Sequence, residues 1–542
     1  MNSQATVSAW QKPTFRHLLE HTDGFVHCVE LVNSRGVISE RGGKRVLMLA
    51  RALAQRPDIH GLSITDNPGG NAMLAPDILG TDLISRGQEV IIHLSCKDWN
   101  RNGLQSKAWQ LASQGFDNVL ALSGDYPIDG YRGRAGPVFD IDSIGLLQML
   151  SEMNAGLPLD TGKGKKPQIL KSTRFFAGAV VNNHKRFERE VMPQYFKLAK
   201  KIETGAGFII NQIGYDSRKQ DELLKYMVMH DLRVPVIGNV FVLSGGGARY
   251  FHAGNIPGVT VTDELLALCE KQANSADKGK AFFLEFAAKQ CAIARGLGYR
   301  GAYLGGHLKY EDYAHVLEMA GSFGEDDWKI FAKEINFHYP DEFYYLEPEP
   351  DTGLCSSEVS RAYVASKSGA ATQAARRQAP LTYKLNRFVH DRVFKRGTAG
   401  FRIGRRLSRA VDAGNGLRKA AHGIEQAIKT ISFDCRDCGD CSLPDIAYLC
   451  PESQCVKNQR NGPCGGTRQG KCEVGEKECI WALAYDRLKA YGEEERMLDG
   501  PVVLKNGALE GTSAWTNTFL DRDHHARTDE ESPPDSGKED DG

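Results

Sequence analysis

Eight cysteines lie close together toward the end of this 542-residue chain. The first three have the spacing Cys-x2-Cys-x2-Cys, a pitch at which three thiolates can bind one edge of an iron–sulfur cluster while a fourth ligand comes from elsewhere. Zinc also accepts four thiolates, so eight ligands suffice for two zinc sites, two [4Fe–4S] clusters or one of each. The cluster therefore predicts metal binding and leaves the metal open. Its members are Cys435, Cys438, Cys441, Cys450, Cys455, Cys464, Cys472 and Cys479.

The rest of the sequence favours metal binding over disulfides. The first twenty residues lack the charged and then apolar order of a signal peptide, and no uninterrupted apolar run is long enough to span a membrane. We therefore expect a cytoplasmic protein with no membrane span, where thiols stay reduced. The turn Gly-Pro-Cys-Gly-Gly around Cys464 would also offer open backbone N–H groups to a thiolate.

A second set of reactive side chains stands at the ends of short apolar runs. An acid at one strand end is more often a cap than a catalyst, but here polar groups recur on run after run. If the runs are parallel strands of one barrel, these groups face one mouth, as a flat polar cofactor and substrate would require. The residues are Glu30, Thr65, Asp66, His93, Asp125, His184 and Gln212.

Eight apolar runs alternate with helical stretches between about residues 24 and 335, which predicts a (β/α)8 TIM barrel of the α/β class. An open doubly wound sheet is the alternative, but the glycines of SGGGARYFHAG do not open a helix after the first strand, so we interpret them as a loop after the seventh. The runs are FVHCVEL, IHGLSIT, EVIIHLSC, NVLALSG, RFFAGAVV, FIINQIG, VPVIGNVFVL and YRGAYLGG.

Four segments are predicted along the chain. Residues 1–338 form the barrel, 339–380 a linker, 381–500 a basic helical segment with the cysteine-rich domain, and 501–542 a largely disordered tail in which His524 and His525 are solvated. Residues 381–430 hold twelve Lys and Arg against three Asp and Glu, which fits a solvated helical face or a dock for an acidic electron-carrier protein.

The whole chain is electrically balanced, with 68 basic and 68 acidic residues. This balance argues against a nucleic-acid or membrane surface and favours small molecules or proteins as partners. A homo-oligomer is compatible with the sequence.

Several quoted stretches resemble methylenetetrahydrofolate reductase. They are GLSITDNPGG, EVIIHLSCKDWNRNGLQSKAWQLASQGFDNVLALSGDYP, AGAVVNNHKRFE and KLAKKIETGAGFIINQIGYD, and the pairing of HLSC with LALSGDYP is the most specific part. The resemblance covers most of residues 20–310 and implies a flavin-binding (β/α)8 barrel. It implies a reductase that interconverts 5,10-methylenetetrahydrofolate and 5-methyltetrahydrofolate, with NAD(P)H or an iron–sulfur-linked carrier as the electron donor.

The resemblance also implies roles for particular residues. Glu30 corresponds to the general acid, Asp125 to an acid near the flavin that contacts the pterin, and Gln212 to an amide that contacts folate and nicotinamide in turn. A general acid must hold its proton near neutral pH, which burial favours. The positions that resemble flavin contacts are Thr65, His93, Ser123, Gly124, Asp125, His184 and Lys201.

Two residues depart from the family pattern. Ser123 stands where an arginine is usual, so a positive charge near the flavin is missing, and Val180 stands where a tyrosine is usual. FAD is the expected flavin because Lys201 is present on the phosphate side, and FMN is the alternative.

The stretch from Cys435 to Gly466 resembles the cysteine-rich C-terminal domain fused to some of these reductases, and the small partner subunit of acetogenic forms, which carries iron–sulfur clusters and zinc. The resemblance implies a module that passes electrons to the flavin or, as structural zinc, stabilises the fusion. Two other functions stay open: the same chemistry run oxidatively on methyltetrahydrofolate from demethylation, and a non-catalytic electron-transfer or docking protein.

Overall fold

A closed barrel of eight parallel strands forms the first part of the molecule, and a helical region with the cysteine-rich segment follows it. The structure is a computed structural model that describes residues 13–159 and 166–526. Twelve strands are numbered along the described chain: β1 Val26–Leu31, β2 Gly61–Ile64, β3 Val90–Ser95, β4 Asn118–Leu122, β5 Pro158–Leu159, β6 Gln168–Ile169, β7 Phe176–Val181, β8 Phe208–Asn211, β9 Val236–Phe241, β10 Gly301–Gly305, β11 Leu346–Pro348 and β12 Cys355–Val359.

The barrel closes in the order β1-β10-β9-β8-β7-β4-β3-β2, and each of its eight strands falls within one of the predicted apolar runs. The TIM-barrel prediction is therefore confirmed. Strands β5 and β6 form a small antiparallel hairpin between β4 and β7, and β11 pairs with β12 after the barrel.

Within the described residues, twenty α-helices surround the barrel and build the C-terminal region. They are α1 Phe15–His21, α2 Arg41–Ala54, α3 Pro76–Ile84, α4 Arg101–Ser113, α5 Ser143–Ala155, α6 Glu188–Glu203, α7 Ser217–Met229, α8 Gly245–His252, α9 Asp263–Ala273, α10 Lys280–Leu297, α11 Tyr310–Ser322, α12 Asp327–Glu334, α13 Arg361–Ser366, α14 Gly369–Gln378, α15 Leu381–Val389, α16 Ala399–Asp412, α17 Asn415–Phe433, α18 Pro451–Gln454, α19 Ile480–Lys489 and α20 Ala514–Phe519. No helix among the described residues is long and apolar enough to cross a membrane.

One end of the barrel is plugged by the first helix. Phe15 of α1 is fully buried and packs edge-on against Phe208 of β8, with ring centroids 5.4 Å apart. Its backbone N–H donates to the Glu89 carboxylate at the start of β3, at 2.9 Å. The amino ends of the strands are thus closed, and the carboxyl ends form the mouth where the polar residues lie.

The glycine-rich string after the seventh barrel strand is a helix and not the predicted loop. Helix α8 begins at Gly245, and the side chain of Ser244 accepts a 3.0 Å hydrogen bond from the Gly247 N–H. This cap satisfies one of the free donors of the first turn and offsets the poor helix propensity of the glycines.

Residues 339–380, predicted as a linker, instead fold onto the barrel. Leu346 of β11 and Cys355 of β12 are buried, and their N–H groups donate to Glu222 and Asp221 of α7 at 3.1 and 2.8 Å. Tyr363 of α13 is also buried. The apolar residues scattered among the prolines and acids of this segment therefore bury against α7.

The predicted disordered tail is folded over residues 501–526. Helix α20 packs on α16, and His524 is 2% exposed although its neighbourhood in the sequence is polar. Burial opposes a charge on His524, but the carboxylates of Asp445 and Asp440 outweigh burial and raise its pKa to about 10. Partners distant in sequence therefore hold this segment, and composition alone does not reveal them. Residues 527–542 lie outside the described residues.

Candidate functional site

The mouth of the barrel centres on Glu30, the last polar residue of β1. Tyr303 of β10 donates a 3.0 Å hydrogen bond to Glu30 Oε2, because β10 lies beside β1 and Tyr303 pairs with Cys28. Burial raises the pKa of Glu30; the tyrosine hydrogen bond opposes this rise, and the negative charge of Asp125 adds to it. Glu30 is therefore a carboxyl group that holds its proton to higher pH than usual.

A short chain of hydrogen bonds runs from Glu30 into the barrel. Ser63 of β2 lies 3.0 Å from the Tyr303 hydroxyl and 2.9 Å from His93 Nε2, and the His93 nitrogen is 3.2 Å from the same hydroxyl. Burial lowers the pKa of His93 to about 4, so the ring is neutral near pH 7. The structure thus joins the predicted Glu30 and His93 through two residues, Ser63 and Tyr303, that the sequence analysis missed.

Asp125 lies three residues beyond the end of β4, in a loop that forms hydrogen bonds with the loop after β2. Its Oδ2 accepts a 2.7 Å hydrogen bond from the Gly69 N–H, and Ile128 N–H donates to Gly70 O at 3.1 Å. Gly124 has a φ of 86°, a backbone conformation that favours glycine and that turns the chain toward Asp125. Two loops therefore fix the carboxylate beside Glu30.

Thr65 and Asp66 occupy the same side of the mouth. Thr65 is buried, and its hydroxyl lies 3.4 Å from Leu31 O. Asp66 accepts hydrogen bonds from the backbone N–H and the hydroxyl of Ser95 at 3.1 and 2.6 Å, and burial raises its pKa. Asp66 therefore ties β2 to β3 below the mouth.

The remaining predicted site residues lie on the β7–β8 side. His184 is buried against Gly214, and a Cβ atom added to Gly214 would come within 2.2 Å of the His184 ring. Burial, and to a lesser extent the positive charge of Lys219, lowers the pKa of His184 to about 3. Gln212, directly after β8, accepts a 2.9 Å hydrogen bond from Ile213 N–H. The Gln212 side chain also lies close to Gly258, because a Cβ atom added to Gly258 would be 3.5 Å from Gln212 Nε2.

Lys201 of α6 is also buried here. Its Nζ donates a 2.5 Å hydrogen bond to Val180 O, at the end of β7. Burial and the neighbouring Lys197 lower the pKa of Lys201 to about 7, opposed by Asp142 and Cys464. A lysine with so little charge compensation is suited to an anionic group.

Several buried polar atoms at this side of the mouth have no hydrogen-bond partner within residues 13–159 and 166–526. They are His184 Nε2, Asn182 Oδ1 and Asn211 Nδ2. Buried polar groups are normally paired, so unpaired atoms grouped at a barrel mouth fit a polar ligand. Together with Lys201 they offer hydrogen-bond donors, an acceptor and a cation to a ligand such as a flavin.

The cysteine-rich segment contacts the barrel at this same mouth, which the sequence analysis did not predict. Gln459 accepts hydrogen bonds from Ser123 at 3.0 Å and from Lys197 at 3.1 Å, and Gly465 O accepts one from Asn182 at 3.0 Å. Asn461 N–H donates to Asp142 at 2.9 Å. The loop of residues 457–467 therefore forms one wall of the site.

Lys457 supplies a positive charge close to Ser123, the position at which the family usually has an arginine. Its Nζ donates a 2.8 Å hydrogen bond to Gly124 O and forms an ion pair with Glu473. Burial opposes its charge, but Glu473, Cys464 and Asp125 together raise the pKa of Lys457 above its usual range. A fixed ammonium group thus lies beside Ser123, where the family arginine is missing. No local signal around Lys457 could have revealed this contact across more than 300 residues.

The eight cysteines separate into two groups of four. Cys435, Cys438, Cys441 and Cys450 line one small cavity, while Cys455 and Cys479 each lie near Cys464, as does Cys472. The three thiols of the Cys-x2-Cys-x2-Cys run therefore lie beside Cys450 as a fourth. We name the two sets the first and the second cysteine group.

Backbone N–H groups point at the sulfurs in both groups. Asp437 N–H donates to Cys435 at 3.4 Å, and Gly466 and Val474 N–H donate to Cys464 and Cys472 at 3.5 Å. The Gly-Pro-Cys-Gly-Gly turn thus directs the Gly466 N–H at Cys464, and such a donor would stabilise a thiolate there.

Solved structures with a similar fold include three with low identity. A protein from Clostridium thermocellum that "binds two copies of 5-methyl-5,6,7,8-tetrahydrofolic acid" is 13% identical, with a TM-score of 0.39 over 57% of this chain and 96% of that one. Oxaloacetate acetylhydrolase is 12% identical with a TM-score of 0.31, and 2,3-dimethylmalate lyase is 11% identical with a TM-score of 0.30; each match covers 53% of this chain and 77% of the other. No curated protein matches the chain.

Two family models match the chain. Residues 32–300 match methylenetetrahydrofolate reductase, and residues 415–506 match methylene-tetrahydrofolate reductase C terminal. The first match runs from the residue after β1 to the residue before β10, so Glu30 lies just outside it, and the second covers both cysteine groups. The chain therefore belongs to the methylenetetrahydrofolate reductase family and joins its barrel to the C-terminal domain of that family.

Proposed function

We propose that the protein is a flavin-dependent reductase that interconverts 5,10-methylenetetrahydrofolate and 5-methyltetrahydrofolate. The observation that carries this proposal is Glu30, a carboxyl group of raised pKa at the barrel mouth, within the electrostatic reach of Asp125. Opening the methylene bridge of the substrate needs a proton donor, and a carboxyl group protonated near neutral pH can supply it.

Tyr303 and Asp125 set the proton affinity of Glu30 in opposite directions. Tyr303 hydrogen-bonds Glu30 Oε2 and favours the carboxylate, whereas Asp125 repels it and favours the acid. Because the Tyr303 hydroxyl donates to Oε2 of Glu30, the proton that Glu30 gives to the substrate would be carried on Oε1. Asp125 and Gln212, held by Gly69 and Ile213, would orient the pterin through hydrogen bonds.

The residues at the mouth fit a flavin. Thr65, His93 and Asp125 would hold its ring system, with Ser123, Gly124, His184 and Lys201 around the ribityl chain and the phosphate. A flavin bound there supplies the hydride for the reduction. The neutral His93 and His184 can donate or accept single hydrogen bonds without adding charge, and Lys457 contributes the cation that Ser123 does not. Lys201 suits the phosphate next to the ribityl chain, which FAD, the expected flavin, shares with the alternative FMN.

We further propose iron–sulfur clusters in the two cysteine groups. Cys435, Cys438, Cys441 and Cys450 line one cavity and the other four cysteines lie around Cys464, so each group offers the four thiols that a [4Fe–4S] cluster takes. Zinc, which also accepts four thiolates, is the alternative in either group.

The position of the second cysteine group supports a route for electrons into the barrel. Cys464 lies one residue from Gly465, which contacts Asn182 at the mouth, and the charge of Cys464 acts on Lys201. Electrons from an electron-carrier protein would then pass through the clusters to the flavin site, with NAD(P)H as the alternative reductant.

The test separates the two half-reactions. Glu30→Gln should keep its flavin and still be reduced by the donor, while reduction of methylenetetrahydrofolate falls by about 100-fold or more, because general acid catalysis contributes about that much. Asp58→Asn, in the loop between α2 and β2, is a matched control that should leave both half-reactions unchanged. Near wild-type folate reduction by Glu30→Gln would show that Glu30 is not the proton donor.

A further inference from the structure

Three potential metal ligands meet in the C-terminal region, one from the loop between Cys441 and Cys450 and two from the segment after α20. His524 Nε2 lies 3.1 Å from Asp445 Oδ2, and His525 Nε2 lies 3.1 Å from Asp445 Oδ1. The three ligand atoms lie within 4.8 Å of one another. In a tetrahedral site with metal–ligand bonds of 2.0–2.2 Å, neighbouring ligand atoms lie about 3.3 Å apart, so this spacing already fits one ion.

The histidine at the centre of this trio is oriented by a second carboxylate. His524 Nδ1 lies 2.6 Å from Asp440 Oδ1, and the His524 backbone N–H donates to the same oxygen at 3.1 Å. Asp440 is fully buried and His524 is 2% exposed. A carboxylate that fixes the far nitrogen of a histidine, leaving Nε2 for the metal, is the usual outer-shell arrangement of metal-binding histidines.

Two members of the trio line a large cavity, which Cys441 of the first cysteine group also lines. Asp445 and His525 line a space of about 990 Å³ between α15, α16, α17 and the cysteine-rich segment. Aromatic side chains of Tyr448, Trp481 and Trp515 also line it. Three protein ligands at the wall of a cavity leave the remaining coordination positions of an ion free for water or a small ligand.

We propose that Asp445, His524 and His525 bind one divalent transition-metal ion, with its free coordination positions directed into this cavity. Two imidazoles and one carboxylate suit zinc or ferrous iron rather than magnesium or calcium, which prefer oxygen ligands. Asp445 belongs to the loop between Cys441 and Cys450, and both histidines belong to the segment that follows α20, so the ion would also join these two parts of the chain. Neither the flavin site nor the cysteine groups use these three residues.

The experiment uses full-length protein purified without oxygen, with its cysteine groups loaded, and adds Zn²⁺ or Co²⁺ after removal of weakly held metal. The wild type should take up one ion more than His525→Ala, and cobalt in that site should lack the thiolate charge-transfer band. Loss of one of three ligands should weaken binding by at least about 100-fold, since loss of an outer-shell partner alone costs 10–100-fold. His315→Ala, at an exposed position on α11, should match the wild type.

Two further measurements make the test decisive. His525→Ala keeps the His524 contacts with Asp440, so the segment should stay folded, and circular dichroism checks this. Asp445→Asn should lose the same ion. Equal metal uptake by the wild type and both variants, or a cobalt spectrum with thiolate bands alone, would overturn the site and leave the trio as a set of charged hydrogen bonds.

Discussion

The ammonium group of Lys457, in the cysteine-rich domain, donates a 2.8 Å hydrogen bond to the carbonyl of Gly124, at the mouth of the barrel. This contact joins residues more than 300 positions apart in the chain. It means that the C-terminal domain is part of the wall of the candidate site and not a separate appendage. The neighbouring contacts of Gln459 and Gly465 with Ser123 and Asn182 extend the same wall.

Lys457→Met should weaken both the domain contact and flavin retention. The substitution leaves Glu473 buried without its cation, and breaking a buried ion pair in this way costs about 3–5 kcal/mol. Thermal unfolding and the flavin content after gel filtration measure the two effects. Lys471→Met is the matched control, because Lys471 pairs with Glu476 in a solvent-exposed ion pair, and such pairs contribute little to stability. Unchanged stability and flavin content in Lys457→Met would contradict this role.

Tyr303→Phe should move the alkaline limb of the pH profile of folate reduction to higher pH. The Tyr303 hydrogen bond favours the charged form of Glu30, so its loss raises the pKa of Glu30 further. Activity that needs the protonated acid declines as pH rises through that pKa, and the decline therefore starts later. Ser63 and His93 keep their own 2.9 Å contact in this variant.

Tyr299→Phe serves as the control for the tyrosine substitution. Tyr299 is buried, and its hydroxyl donates to Gln220 O at 2.9 Å, outside the Glu30 chain of hydrogen bonds. Its pH profile should follow the wild type. A limb that moves to lower pH in Tyr303→Phe would show that the tyrosine acts on another group.

Serine substitutions should separate the two cysteine groups. Cys438→Ser should remove the iron of the first group and leave the flavin in place, whereas Cys464→Ser should remove the iron of the second group and also lower flavin content. The difference arises because the loop of Cys464 contacts Asn182 at the barrel mouth. Iron and flavin analysis of anaerobic samples measures both, with Cys269→Ala on α9 as the control. Equal flavin loss in the two serine variants would contradict the assignment.

Truncation should show that residues 521–526 stabilise the fold. A chain that ends after Leu520 loses the ion pair of Asp521 with Arg396, that of Arg522 with Asp412, and the contact of His524 with the buried Asp440. We expect its apparent Tm to fall by at least about 5 °C. A chain that ends after Ala526 keeps these contacts and should melt like the full-length protein. Identical melting of both truncated chains would be inconsistent with a docked segment.

The barrel could be predicted from sequence because its information is local. Each strand is a short apolar run such as VIIHLS, and parallel strands buried on both faces require such runs. Closure then places the residues after each run at one mouth, so Glu30, Asp125 and Gln212 could be chosen without coordinates. Polarity at strand ends gave these three among seven candidates, and the family resemblance implied their roles.

The parts that could not be predicted depend on contacts between distant residues. In the sequence, Tyr303 cannot be distinguished from the other residues of an apolar strand. Its hydrogen bond with Glu30 follows only from the pairing of β1 with β10. Lys457 and His524 stand in polar stretches with no periodic pattern, and their importance comes from Gly124 and Asp440, respectively. Such pairings are tertiary, so neither propensity nor spacing contains them.

The most direct test of the central claim is an anaerobic single turnover with the flavin-loaded protein. The flavin is first reduced, and 5,10-methylenetetrahydrofolate is then added while flavin absorbance and folate products are followed together. Our account predicts that one equivalent of 5-methyltetrahydrofolate forms for each flavin reoxidised, and that this coupled step is lost in Glu30→Gln. Protein that holds reduced flavin yet neither reoxidises it nor forms 5-methyltetrahydrofolate would contradict the account.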